Sequence, residues 1–352
     1  MPSCIPAGGL PGVGTDTTQL IWLALITCGV AFEIYVAVER PDFSPFLPRR
    51  YTNGIMRKAE DVSACLDAVC IAASIPMLMG IRRLMISRIM HEAWSHEVEH
   101  SPGGVVQTFS KRVAWVALLV FLVFAGLLSW RFRPLEPAFQ LVFAGELLAW
   151  LTFSLHQCIF LFTVMLNWRI SWNVIERFRM QLSLDREVND WTLVTRQYHD
   201  LDKCIDELWR YSNFGMAVVA FLASALINFL NCSFRGIISK DVAWIVVYFS
   251  WATLQAAIIV VSLYAMASIS SRCKPRFRDR DSIFFMTMQH YGRVSPRQRL
   301  DHELFVRLIL HNPAGVEVGP LGRITSGMAA IVFRILVVAI PSCVSFASTL
   351  SQ

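Results

Sequence analysis

Three carboxylates stand inside long apolar runs of this 352-residue chain: Glu33, Asp67 and Glu146. An ionisable group in hydrocarbon is costly to keep, so each marks a candidate functional position. Trp150 follows Glu146 by one helical turn, and Tyr248, Trp251 and Gln255 recur at helical spacing in another apolar run. Brought together, these residues would make an aromatic-walled cavity with one or two carboxylates. Such a cavity suits a small amphipathic or cationic ligand. The same residues also have a purely structural reading. Trp and Tyr near the ends of membrane spans anchor them at the interface, and polar residues join helices to one another. His156 and Gln157, near the middle of their run, read as interhelical hydrogen-bonding residues. A further alternative takes Glu33, Asp67 and Glu146 as the proton or solute path of a transporter.

Enzymatic chemistry finds no support in the residue pattern. There is no nucleophile motif, no HExxH, no phosphate-binding loop and no Asp/His array of an intramembrane hydrolase, so no catalytic residue is assigned. The nine cysteines include no CxxC pair and no Cys/His spacing suited to zinc, so neither a disulfide framework, a metal nor any other cofactor is expected. The formal net charge of +6 sits in loops between apolar runs rather than in one patch. Membrane topology accounts for that placement, and a nucleic-acid partner is not expected.

The elements that must position these residues follow from hydropathy. The chain is 55% hydrophobic and 16% charged, with a mean hydropathy of +0.49. Its apolar residues fall into runs long enough to cross a ~30 Å hydrocarbon layer. Seven transmembrane helices are predicted near 19–38, 61–81, 112–130, 138–168, 214–234, 242–269 and 326–350, after a short flexible tail over 1–18. With the N-terminus in the cytosol, 22 Lys and Arg fall in or beside the inner loops and 9 in the outer ones. The positive-inside rule therefore selects that orientation. It argues against a G-protein-coupled receptor, which has the opposite one, and no DRY-like triplet or NPxxY is present. The sequon Asn231-Cys232-Ser233 falls on the outer side. The fold class is thus an all-α polytopic membrane protein in one domain over 19–352.

Two cytosolic segments, about 169–213 and 296–312, read as folded helices rather than simple loops. Val194, Leu201 and Leu208 recur every seven residues, with Cys204 and Tyr211 between them and charged residues interleaved. Ser295-Pro296 opens a second helix whose Leu300, Leu304, Leu308 and His311 share one face, with Phe305 and Ile309 alongside. It must stop before Asn312-Pro313, and a link rich in Gly and Pro leads to the last span. The stretch 272–281 is strongly basic, a pattern of topology signals and anionic-lipid contact.

Two stretches carry a resemblance to a known family. Tyr198-His199-Asp200-Leu201, followed by Asp206-Glu207-Leu208 and Tyr211-Ser212-Asn213-Phe214, runs directly into an apolar span. Phe305 to Ile324 leads through a proline-containing link into the last one. In these, and in span number, orientation and size, the chain resembles the arthropod gustatory receptors, relatives of the insect odorant receptors. The family's last-span signature is Thr-Tyr, five apolar residues, then Gln-Phe. Here that register holds Val332-Phe333 and Ala339-Ile340, with Arg334 interrupting. The resemblance implies a ligand-gated, nonselective cation channel of the plasma membrane, opened by small-molecule tastants and assembled as a homo- or heterotetramer. It implies a pore lined by the last span, with Phe333, Arg334, Val337, Ile340 and Val344 as candidates. It also implies a cytosolic anchor, with Leu201, Leu208, Leu304 and Leu308 as candidates, and a ligand pocket in the outer half of the membrane. Arg334 has two readings: turned from the pore axis onto an acidic group such as Glu146 or a backbone carbonyl, or facing the pore and opposing cations. The first is the expectation, because unpaired intramembrane arginine is so unfavourable.

Overall fold

A computed structural model describes residues 24, 26–31, 63, 65–86, 112, 115, 119, 122, 137–184, 190–211, 214–238, 242–274 and 281–350. Among these residues the structure is helical apart from short connections and one isolated bridge. Helix α1 (Ser74–Ile86) continues a helical stretch that precedes it, and together they form an apolar span over Cys65–Leu84. Helix α2 (Pro137–Leu184) is 48 residues long, about 70 Å at helical rise. A bilayer needs less than half of that, so the helix is longer than a crossing requires. Helix α3 (Trp191–Asp206) is amphipathic, and Asp190 caps it by accepting a hydrogen bond from the Leu193 N–H at 3.0 Å. A π-helical turn (Glu207–Tyr211) leads toward α4 (Phe214–Ile238), which pairs with α5 (Val242–Cys273). The short α6 (Ile283–His290), α7 (Arg299–His311) and α8 (Ser326–Leu350) complete the described chain.

Four helical segments are long and apolar enough to cross a membrane: Cys65–Leu84, Trp150–Ser183, Phe214–Ile237 and Ile245–Cys273. Helix α8 adds a shorter apolar stretch over Ser326–Val338. The expected spans at 61–81, 138–168, 214–234, 242–269 and 326–350 each coincide with a described helix. Most of 19–38 and of 112–130 lies outside the described residues, as does the tail over 1–18.

The core is built where α1, α2, α4 and α5 meet. Gly80 lets α1 lie directly on α4, because a Cβ there would stand 2.4 Å from that of Ala217. Phe160 of α2 stacks on Phe214 with centroids 5.1 Å apart and meets Phe221 at 4.9 Å. The same core extends out of the span region into a second body. Phe178 and Leu182 from the end of α2, Trp191, Tyr198, Leu201 and Ile205 from α3, and Phe305 and Ile309 from α7 are all buried. Helices α3 and α7 occupy much of the two long loops, and the buried face of α7 differs from the predicted one. His302, Phe305 and Ile309 point inward, while Leu300 and Leu304 remain 67% and 54% exposed.

Candidate functional site

Three of the residues expected to wall a ligand cavity, Trp150, Tyr248 and Trp251, lie on α2 and α5. Trp150 meets Trp251 edge to face at 6.2 Å and Phe153 in the same manner at 5.9 Å. Tyr248, one turn before Trp251, is buried. One turn after Trp251, Gln255 faces Gln157, and the two amides exchange hydrogen bonds of 3.1 and 3.0 Å. This pair is the interhelical contact expected of Gln157, and it commits both side chains to joining helices. His156 instead hydrogen-bonds along its own helix, through Nδ1 to the Thr152 carbonyl at 2.7 Å. Glu146 belongs to α2, one turn before Trp150, but its side chain lies outside the described residues, as does Glu33.

Asp67 sits elsewhere, in a polar knot between the start of the Cys65–Leu84 span and the C-terminal end of α4. Its carboxylate is fully buried and ion-paired with Arg235. It also accepts a hydrogen bond from Asn231 Nδ2 at 2.6 Å. Ser63 donates to Asn231 Oδ1 at 2.6 Å and accepts from Arg235 Nε at 2.5 Å. Four side chains thus satisfy one another where water is excluded. Sequence reasoning missed this knot because Arg235 reads as an outer-loop charge. The available signal was a pair of matched i, i+4 spacings, Ser63/Asp67 and Asn231/Arg235. The sequon is also resolved: Asn231 is buried within a helix and holds Asp67, so it is not an accessible glycosylation site.

The second functional element is the link between α7 and α8. Tyr198, the first residue of the Tyr-His-Asp-Leu stretch, reaches it from α3. Its hydroxyl accepts from the Ala314 N–H at 2.7 Å and donates to the Asn312 carbonyl at 3.4 Å. Burial pushes the phenol well above its ordinary pKa, so it stays protonated and keeps both roles. Ser270, at the C-terminal end of α5, donates to the Ile324 carbonyl at 3.2 Å. The link folds back on itself through a bridge between Glu317 and Arg323. Gly319 and Gly322 make that turn at φ of 41° and 66°, where other residues are strained. Arg210 of the π-helical turn pairs with Glu317 at 3.3 Å. The same turn carries Trp209 inward, where its indole donates to Ser171 of α2 at 3.0 Å. Asp202 and Asp206 complete this junction. Burial raises the pKa of both, and each is raised further by a neighbouring carboxylate: Asp206 acting on Asp202, and Glu317 acting on Asp206.

The anchor candidates divide between two environments. Leu201 and Leu208 are buried in the chain's own core, Leu308 packs partly against it, and Leu304 is exposed. On α8, Ala329 and Leu336 face the core with Met328 and Val332 packed beside them. Phe333 and Val337 are about half exposed, and Ile331 and Val338 more so. Arg334 lies about 160° around the helix from Leu336 and is exposed. No described residue forms an ion pair with it. Ile340 and Val344 are helical, but their side chains lie outside the described residues.

No protein-family model matches this chain, and no curated protein matches it. Among the described residues no group of His, Cys, Asp and Glu is arranged to hold a metal ion.

Proposed function

We propose that the chain is a subunit of a seven-span, ligand-gated ion channel of the plasma membrane, with a cytosolic N-terminus and a chemosensory role. It responds to small-molecule ligands of the kind that the resemblance to gustatory receptors implies. The observation that supports this reading most is the setting of α8. One face packs on the chain, the opposite face is left open by the described residues, and Tyr198 and Ser270 tie the helix's entry to the body that α3 and α7 form. A helix so placed is suited to line an axis between copies, with its link able to transmit motion from the membrane helices. The shelf of Trp150, Tyr248 and Trp251 is the pocket candidate, with Glu146 the carboxylate above it. Leu300 and Leu304 offer the apolar cytosolic surface that tetramer assembly requires. A carrier path through Asp67 would have to break its ion pair with Arg235, which favours the channel reading over the transporter.

The resemblance implies nonselective cation conduction, and Arg334 modifies that expectation. On the open face of α8, four copies would repel cations in a narrow passage. This member is therefore a poor cation conductor.

Patch-clamp recording of the full chain in a heterologous cell, over a panel of small amphipathic and cationic tastants, tests the proposal. Agonist-evoked current without G-protein signalling is expected, and Trp251→Ala should raise the half-activating concentration by about tenfold for an aromatic-bound agonist. Tags before Met1 and after Gln352 should stain only permeabilised and intact cells respectively. The reverse staining, or uptake coupled to a counter-ion in place of current, would remove the channel reading.

A further inference from the structure

Where the last turns of α5 pass α2, two indoles and a guanidinium are assembled in a way that the candidate pocket does not use. Trp168 and Trp172 are one turn apart on α2, with ring centroids 5.9 Å apart. Trp168 is fixed by donating from Nε1 to Ser268 Oγ of α5 at 2.8 Å. Arg272, in the last turn of α5, lies over the Trp172 ring with its guanidinium carbon 4.6 Å from the centroid. The stack covers one face of the guanidinium and leaves its N–H edges directed elsewhere. No described carboxylate pairs with Arg272. Glu176, one turn beyond Trp172, is taken by Arg179 at 2.5 Å, and Arg179 also donates to the Asp281 carbonyl at 3.1 Å. Lys274 follows, exposed.

The position of this group decides what it meets. The apolar segment of α5 ends at Cys273, so Arg272 stands at the boundary between hydrocarbon and water. Tryptophans also concentrate there, apolar body in the acyl region and N–H toward the headgroups. We propose that Arg272 and Lys274, with Arg272 positioned by Trp172 and Trp168, form a binding site for the phosphate of an anionic phospholipid. The aromatic pair holds Arg272 in place, so the arginine loses little freedom when the phosphate arrives, and its planar edge offers paired N–H donors. Lys274 adds a second positive charge. The acyl chains lie along the exposed outer surfaces of α2 and α5. The site is independent of channel activity and of the family resemblance.

Purified full-length protein in detergent, mixed with equal amounts of phosphatidylserine and phosphatidylcholine, tests the site by native mass spectrometry. Wild type should retain phosphatidylserine in about fivefold preference, and Arg272→Gln should reduce that preference about fivefold. Arg272→Lys should fall between, since lysine lacks the planar fork and the stacking face. Trp172→Leu, which keeps every charge, should lower the preference as well, and it serves if Arg272→Gln fails to fold. Equal retention of both lipids by wild type would overturn the proposal, as would an unchanged preference in whichever variants fold. Displacement of the lipid by millimolar inorganic phosphate would show a site for soluble anions and overturn it too.

Discussion

Asp67 illustrates how a residue's chemistry is set by its partner. An isolated buried carboxylate in a span is a candidate ligand contact, whereas one held by Arg235 and Asn231 is a clamp between α1 and α4. Removing one partner leaves the other buried and unpaired. Arg235→Gln or Asp67→Asn alone should therefore lower stability by about 3–5 kcal/mol. The double substitution should cost clearly less than the sum of the two. Thermal unfolding followed by size-exclusion chromatography reads all three, and additive losses would show that the pair is not coupled. The aromatic shelf behaves differently. Trp150 and Trp251 meet at their edges, and the glutamine pair below them closes that end of the shelf.

At the scale of elements, the heptad spacing of α3 was legible because Val194, Leu201 and Leu208 do form one buried face. The face of α7 was not. Leu300, Leu304 and Leu308 repeat at four residues, as do Phe305 and Ile309, and periodicity alone does not say which stripe the chain itself covers. The structure gives the stripe with Phe305 and Ile309 to the core and leaves Leu300 and Leu304 outside. Leu201→Asp should therefore disrupt the folded subunit, since it buries an unpaired charge at a cost of several kcal/mol. Leu304→Asp should leave the subunit folded and reduce only its oligomers. Native gels and thermal unfolding together separate these outcomes, and loss of folded subunit by Leu304→Asp would place that face in the core.

The junction of α3 with the link makes a second prediction at this scale. Asp202 and Asp206 have raised pKa values, so the folded state binds their protons more tightly than the unfolded chain does. Their contribution is fully present below the ordinary carboxylate pKa of about 4 and is lost as pH rises through the raised values. Asp202→Asn should therefore stabilise the protein at neutral pH and have no effect at lower pH. Water reaches much of this side chain, so the gain should stay below about 1 kcal/mol. Unfolding midpoints of both proteins across that pH range check the sign.

For the whole molecule, Arg334 carries the sharpest consequence. It stands eight residues into α8, ~12 Å along the helix from Ser326, on a face that the described residues leave open. The expectation that it turns onto an acidic group such as Glu146 falls on a side chain outside the described residues. With α8 on the axis of a tetramer, Arg334→Gln should shift the reversal potential of agonist-evoked current toward that of a cation conductor. Surface expression should remain near normal. An unchanged reversal potential with reduced expression would place the arginine in a structural contact instead.

The sequence by itself determined that the chain is helical, that it carries segments suited to a membrane, and that the two long loops contain helices of their own. Those features are written in local terms: hydropathy runs, heptad spacing, Ser295-Pro296 and Asn312-Pro313. Only the tertiary structure decided that Asp67 answers to Arg235, that Tyr198 holds the link to α8, and that Leu304 faces outward while Leu201 does not. Each of these joins residues from elements distant in the chain, and a helix's own periodicity records which residues share a face but not what that face meets.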